Sequence, residues 1–485
     1  MTTTTQTRPR AEKTFFGHPR MLSTLFNVEM WERFSFYGMQ AILAYYMYFS
    51  VAEGGLGMEQ GLALSLVGAY GGGVYLSTIF GAWIADRVLG PERVLFHTAI
   101  MIMSGHIALA LIPGGTGLAI GLILVAVGSG GLKATASSLV GSLYGEKDPR
   151  RDAGFSIFYM GVNAGALLGP LLTGLLQQEL GFHVGFGAAA VGMAIGLAVY
   201  AAGRRRLPEA TQHVANPLPA NLRARYALGA AAALAVVAAL FATGVVTTEN
   251  LAMTIAYVVI AASIAYFVVI LGSRKVTGVE RKRVTAFIPL YVASAAFWAL
   301  FQQQFTFIAV YSEERLDRNL FGWEMPASWV QSINPVFIIV FAAVFAALWT
   351  RMGTGQPSTA LKFGGALVII GIAYLIFIPL ESLGTTPLLA LVGILLLCTW
   401  AELLLSPIGL SVATKLAPAA FTTQMVALFF LSVSLGTTLA GILAGYYTEG
   451  NEVPYFVALG ATSIALGVAL ALSAPALKRL MGGVK

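Results

Sequence analysis

Fourteen stretches of roughly 20 or more predominantly apolar residues run through this chain, and few folds are open to a polypeptide with so many. They fall near 22–49, 62–85, 93–112, 118–141, 154–177, 183–203, 226–247, 251–272, 285–311, 329–350, 360–380, 387–412, 420–446 and 454–477. A helix of about 20 residues is long enough to cross the ~30 Å hydrocarbon core of a bilayer. No segment alternates polar and apolar residues as an outer-membrane strand does, so an all-α integral membrane protein is predicted. Several stretches exceed about 25 residues and should tilt or protrude. Glycine-rich runs at 68–73 and 128–131 would weaken a soluble helix, but in a membrane they let helix backbones approach closely. Composition agrees: 57% of the 485 residues are hydrophobic and 11% charged, against about 25% charged in soluble domains. That balance excludes a cytosolic enzyme or a secreted domain. A single cysteine, Cys398, excludes an intrachain disulfide, an iron–sulfur cluster or a zinc knuckle. Residues 1–20 are polar and basic with no cleavage site after a short apolar core, so no cleavable signal peptide is expected.

The 29 bases outnumber the 22 acids, and their placement explains the excess. With fourteen spans both termini lie on one side. That side collects 25 bases: Arg8, Arg10, Lys13 and Arg20 in the tail, Arg204, Arg205, Arg206, Arg223 and Arg225 after the sixth span, Arg274, Lys275, Arg281, Lys282 and Arg283 after the eighth, and the rest in shorter loops and the C-terminus. The opposite side holds Arg315 and Arg318. The positive-inside rule therefore predicts cytoplasmic termini, and the basic balance reads as topology, with no nucleic-acid partner. The two longest basic loops bracket the seventh and eighth spans, which carry no charge except Glu249 in their turn. These two are expected to be lipid-facing accessories. The expected organisation is a cytoplasmic tail (1–20), an N-terminal six-helix bundle (21–204), a basic linker (205–225), an accessory pair (226–272), a second basic linker (273–284) and a C-terminal six-helix bundle (285–485). Two-half transporters place the substrate between their halves near the midplane.

Five charges fall well inside spans, away from their ends: Glu29, Glu32, Arg33, Lys133 and Glu402. Unpaired, they would cost about 12–18 kcal/mol at roughly 2.5–3.5 kcal/mol each, so they should face an interior and pair or be wet. Glu29, Glu32 and Arg33 share one helix face by their i, i+3, i+4 spacing. Arg33, Lys133 and Glu402 reach similar depth from the basic side. A structural ion-pair network would account for Glu29 and Arg33 alone, but Lys133 and Glu402 lie in different halves. Tyr37, Tyr75, Asn163, Gln302, Gln303, Asn334 and Ser406 sit at comparable depth. A polar cavity with cationic and anionic poles suits a zwitterion. His106, the one histidine away from the ends of a span, has no acidic sequence neighbour and reads as packing. No metal cluster, nucleophile–base pair or midplane aspartate pair suggests an intramembrane enzyme, and no loop is long enough for a signalling domain.

The first span reads Glu29-Met-Trp-Glu-Arg-Phe-Ser-Phe-Tyr-Gly38, which resembles the ExxERFxYYG signature of the proton-dependent oligopeptide transporters, a branch of the major facilitator superfamily. The likeness continues in order: Gly81-Ala-Trp-Ile-Ala-Asp-Arg87, Phe158-Tyr-Met-Gly-Val-Asn-Ala-Gly-Ala-Leu-Leu168, Phe297-Trp298, Gln331-Ser-Ile-Asn-Pro335, and Glu402-Leu-Leu-Leu-Ser-Pro-Ile-Gly-Leu-Ser411 with Thr414-Lys-Leu-Ala-Pro418. The resemblance implies a major facilitator fold of two six-helix bundles plus the extra pair found in bacterial members. It also implies proton-coupled symport of di- and tripeptides across the bacterial inner membrane, with protons as the coupling ion and no other cofactor. By position, Arg33 and Lys133 would meet the peptide carboxylate. Glu402, with Ser406 near it, would hold the ammonium. Tyr37, Tyr75, Asn163 and Asn334 would contact the peptide backbone, and Glu29 and Glu32 would couple protonation to Arg33.

The chain departs from the family pattern at several places. Gln302 stands where FWxxxEQ has its acid, the usual partner of the lysine aligned with Lys133. The Lys133 charge must then be offset by Glu29 or Glu32 or by substrate, or else the amine must titrate more readily. Phe36 replaces the first tyrosine of YYG, and Phe429 stands where relatives often have tryptophan. Gly68 falls about where animal members have a histidine. Uptake of another small solute by the same fold, such as nitrate or a peptidomimetic, is the alternative; Gln302 favours an anion such as nitrate, and Glu402 disfavours an anion-only site.

Overall fold

In the computed structural model, which describes residues 14–145, 148–214 and 216–482, sixteen α-helices make fourteen crossings. The bases Arg8, Arg10, Lys13, Lys147 and Lys485 lie outside these residues. The helices are α1 (Met21–Tyr48), α2 (Gln60–Ile84), α3 (Pro91–Leu111), α4 (Gly114–Ser142), α5 (Arg151–Leu180), α6 (Phe182–Gly203), α7 (Ala220–Ala242) and α8 (Leu251–Gly272). They continue with α9 (Gly278–Phe301), α10 (Phe307–Glu314), α11 (Ile333–Met352), α12 (Thr359–Leu375), α13 (Phe377–Leu380), α14 (Leu388–Lys415), α15 (Thr422–Ala444) and α16 (Glu452–Leu480). Two crossings are interrupted: α9 passes into α10 through a 3₁₀ turn at Gln302–Phe305, and α12 passes into α13 at Ile376. Thirteen crossings are apolar and long enough for a membrane, and the protein is a multi-pass membrane protein. The remaining one, α1, is diluted by Glu29, Glu32, Arg33 and Gln40.

The expected spans and observed helices agree to within a few residues at most ends. The seventh is displaced at both ends, expected at 226–247 and observed as Ala220–Ala242, which places Arg223 and Arg225 on the helix rather than in the loop. The ninth crossing begins earlier than expected because a capping box holds it: the Thr277 hydroxyl accepts from the Glu280 amide at 3.3 Å and the Thr277 amide donates to Glu280 Oε2 at 2.8 Å.

In the first half α1 packs on α5 and α6, α3 on α4 and α6, and α2 on α4. In the second, α12 packs on α14 and α16, and α9 on α15. The halves meet along α2 and α15, and where α5 touches α11 and the 3₁₀ turn Ala327–Ser332 before it. Glycine makes the α2–α15 seam possible: a Cβ on Gly68 would lie 2.6 Å from Gly441 Cα. The side-chain hydrogen bonds joining the halves among the described residues lie between the midplane and the end away from the termini. Tyr45 donates to Ala309 O (2.9 Å), Gln178 to Glu324 O (3.1 Å), Trp329 to Leu171 O (2.9 Å), Ser332 to Leu167 O (2.9 Å) and Ser434 to Gly72 O (2.7 Å), and Gln60 donates to Glu314 (3.2 Å). The molecule is thus closed at that end. Gly68→Val should force the seam apart, costing about 1–3 kcal/mol. The expected result is a lowered thermal midpoint of the purified protein, and an unchanged midpoint would mean that the seam yields freely.

The accessory pair divides in behaviour. α7 has no buried residue, as expected of a lipid-facing helix. α8 instead buries Ala252, Ala256, Val259, Ser263 and Ile270 against α15, α2 and α9, and Ser263 Oγ hydrogen-bonds Tyr291 of α9 at 2.7 Å. The expectation of two lipid-facing helices is corrected for α8. Its alanines and serine are small enough to seat one face on both halves, a property that mean hydropathy does not distinguish from lipid exposure.

Candidate functional site

A cavity lies between the halves with about 830 Å³ of empty space, part of it open to solvent. Broken or glycine-bearing helices build its walls. α1 supplies Phe36, Tyr37 and Gln40; α2 supplies Gly71 and Tyr75; α5 supplies Tyr159, Asn163 and Pro170; the α9–α10 break supplies Gln302, Gln304 and Phe305. The α11 end contributes Gln331 and Asn334, and α14 contributes Glu402. The break at Gln302 turns three successive glutamines through a tight 3₁₀ turn. Gln302 and Gln304 thereby line the cavity, while Gln303 is buried and hydrogen-bonds the Tyr455 hydroxyl.

Of the residues singled out in the sequence, Tyr37, Tyr75, Asn163, Gln302, Asn334 and Glu402 line this cavity. The acid pole is held by an amide: Asn334 Nδ2 donates to Glu402 Oε2 at 3.1 Å and to Thr399 Oγ1 at 3.0 Å. Asn163 is turned back on its own helix, donating to Tyr159 O at 2.9 Å. Ser406, one turn from Glu402 on α14, is half-buried and does not line the cavity.

The basic pole lies just beyond the wall. Arg33 Nε donates to Glu29 Oε1 at 2.8 Å and lies 3.1 Å from Glu32 Oε2, and all three side chains are buried. Ser129 of α4 donates to Glu32 Oε1 at 3.2 Å, tying the cluster to the helix that carries Lys133. The one-face spacing of the three α1 charges therefore forms the network expected of it. The terminal guanidinium nitrogens of Arg33 make no hydrogen bond among the described residues.

Lys133 makes no ion pair among the described residues. Its ammonium sits 4.7 Å from the ring centroid of Phe36 and 4.5 Å from that of Tyr75. Two aromatic faces at such distances stabilise a desolvated cation by roughly 0.5–2 kcal/mol each. One of the sequence departures, Phe36, thus meets the Lys133 ammonium directly. Where Gln302 removes the expected carboxylate, the Phe36 ring offers its face, and Tyr75, which also lines the cavity beside Gln302, offers another. Sequence reading missed Phe36 as a site residue, treating it as a lost hydroxyl. It also missed Gln40 and Gln331, whose Oε1 atoms are buried without a hydrogen-bond partner. An in-line polar residue two turns past Arg33 on the same helix was the signal for Gln40.

The POT family profile matches residues 92–463. The chain is 43% identical over 477 residues to the uncharacterised transporter YclF of Bacillus subtilis, covering 98% of this chain and 97% of that one. It is 39% identical to a di-/tripeptide transporter of Lactococcus lactis subsp. cremoris, covering 98% and 99%. Among solved structures it matches a peptide transporter POT variant in complex with alafosfalin at TM-score 0.93 and 44% identity, with 97% of each chain covered. The motifs on α1, α5, α11 and α14 that carried the sequence resemblance are the same segments that wall the cavity, and the chain belongs to the POT family of transporters.

Proposed function

We propose that this protein is a proton-coupled symporter that carries di- and tripeptides into the cell by alternating access, in the bacterial inner membrane with both termini cytoplasmic. The observation that carries the reading is one cavity between the halves with a carboxylate on one wall and two cations behind the other. Glu402 receives the peptide ammonium, with Asn334 orienting it and Ser406 acting one turn away. Arg33 and Lys133 attract the carboxylate, while Tyr37, Tyr75, Asn163, Gln302 and Asn334 contact the backbone. Glu29 and Glu32 exchange the Arg33 pairing as protons come and go, so Glu29, Glu32, Arg33 and Lys133 form the coupling group. The relatives named di-/tripeptide transporters support the substrate class. The two six-helix halves, 21–204 and 278–482, rock about the cavity, the pair α7–α8 riding with them between the basic segments 205–219 and 273–277. The closed end described above is the external one, so this conformation faces inward. The protein is a transporter and not an enzyme.

Proteoliposome uptake under an inward proton gradient tests this directly. Dialanine should accumulate and nitrate should not, because an anion alone leaves Glu402 without a counter-charge. Nitrate uptake without dialanine uptake would reverse the assignment.

The Gln302 departure gives a second measurement. Gln302→Glu places a new titrating carboxylate beside Tyr75 and so near the Lys133 clamp. The pH profile of uptake, followed from about pH 5 to 8, should shift relative to wild type. A superimposable profile would mean that the α9 break and Lys133 act independently.

A further inference from the structure

α7 touches the rest of the molecule at its first turns and then stands clear. The Tyr226 ring meets Trp83 of α2 with centroids 5.5 Å apart, and no residue of α7 is buried. A spanning helix that does not pack on protein packs on acyl chains. Between α2 and α7 at the end bearing the termini lies a cleft with about 1010 Å³ of empty space, part of it open to solvent. Its walls are apolar, from Trp83 and Val88 on one side to Ala227 and Ala230 on the other.

The linker before α7 closes the cleft's outer end. Asn216 N donates to Asp86 O at 3.0 Å and Leu218 N to Arg87 O at 2.9 Å, pinning this segment over the turn after α2. Two guanidinium groups, Arg87 and Arg223, line the cleft at this end. Arg87 makes no side-chain hydrogen bond or ion pair among the described residues, and Arg223 donates a single long bond, 3.4 Å, to Leu218 O. Asp86 is exposed and does not line the cleft.

Depth fits this arrangement to a bilayer. Arg87 lies 27 residues along from Gln60, about 40 Å at the helical rise, which is the span of a bilayer including its headgroups. Trp83 and Tyr226 then fall at the interface, where such rings concentrate.

We propose that this cleft is a binding site for one anionic phospholipid. The phosphodiester sits between Arg87 and Arg223, and an acyl chain fills the apolar wedge between α2 and α7. Two cations without carboxylate partners favour a headgroup with net negative charge, because a zwitterionic headgroup brings an ammonium of its own. The same guanidinium pair would also attract free phosphate, but phosphate leaves the wedge empty.

Native mass spectrometry of the purified full chain, titrated with phosphatidylglycerol, tests the site. Wild type should retain one lipid more tightly than Arg87→Gln/Arg223→Gln does, by about tenfold or more. Ala230→Trp keeps both arginines but fills the wedge from an exposed helix face, so it should weaken the same lipid comparably. It also keeps the test valid if the arginine double variant fails to fold. Phosphatidylcholine should bind wild type less tightly than phosphatidylglycerol, and millimolar inorganic phosphate should not displace the lipid. Equal phosphatidylglycerol affinity in wild type and the variants would overturn the proposal. So would displacement by phosphate with Ala230→Trp unaffected, which would leave an anion site without a lipid.

Discussion

Glu402→Gln should lower gradient-driven dialanine uptake by at least about a hundredfold while leaving the purified protein's thermal midpoint within a degree or two of wild type. The fold has little at stake in the charge. Glu402 accepts from Asn334 Nδ2 at 3.1 Å, and a glutamine oxygen in the same place accepts that bond as well. Substrate binding has much more at stake. Glu402 is the one carboxylate lining the cavity among the described residues, so if the peptide ammonium binds there as proposed, removing it leaves that ammonium buried without a counter-ion. Truncating one member of such a pair costs about 2–5 kcal/mol, and each 1.4 kcal/mol or so is a factor of ten. Measured by competition, dialanine affinity should fall with uptake, whereas a substrate lacking the amine should lose less. A variant that binds dialanine as tightly as wild type would remove Glu402 from the ammonium site.

The crossings could be read because membrane burial writes itself into composition: thirteen of fourteen pass a length-and-apolarity standard. What was not legible has a common cause. Hydropathy registers the lipid-buried part of a helix and not its polar first turns, so Arg223 and Arg225 were assigned to a loop although α7 starts at Ala220. The break at Gln302–Phe305 contains neither proline nor glycine, and nothing local announced it. That α8 seats on α15 while α7 stands clear depends on shape, not on apolarity. Within the site, spacing along one helix carried far: Glu29, Glu32 and Arg33 form the cluster that their positions implied. Spacing says nothing about register between helices. The aromatic clamp on Lys133 needs α1, α2 and α4 to be set against one another, and a single sequence showed only that Phe36 lacked a hydroxyl. The same limit hid Thr399, which shares the Asn334 amide with Glu402.

Arg33→Lys should abolish proton-driven accumulation, with counterflow exchange retained at a reduced rate, although the positive charge is kept. The geometry around Arg33 supplies the reason for this expectation. Arg33 Nε engages Glu29 at 2.8 Å and Glu32 at 3.1 Å from within the same helix. Its terminal nitrogens remain free of protein partners among the described residues. A guanidinium can therefore hold the α1 acids with one edge while presenting another edge to a carboxylate, because its donors point in fixed, divergent directions in one plane. A lysine ammonium is a point charge on a flexible stem; drawn to Glu29 and Glu32, it has no second edge to offer. Glu32 is further fixed by Ser129 of α4 at 3.2 Å, so the acids cannot follow a relocated ammonium without breaking the tie to the helix that carries Lys133. In the variant, protonation of the acids should no longer alter how the cation meets substrate, and the proton gradient loses its purchase on the peptide. Exchange needs only binding and rocking, so it survives where accumulation does not. The readout is the ratio of gradient-driven uptake to counterflow in proteoliposomes. A ratio equal to wild type would show that net charge at this position is all that coupling requires, and would move the proton linkage to Lys133 and its aromatic clamp.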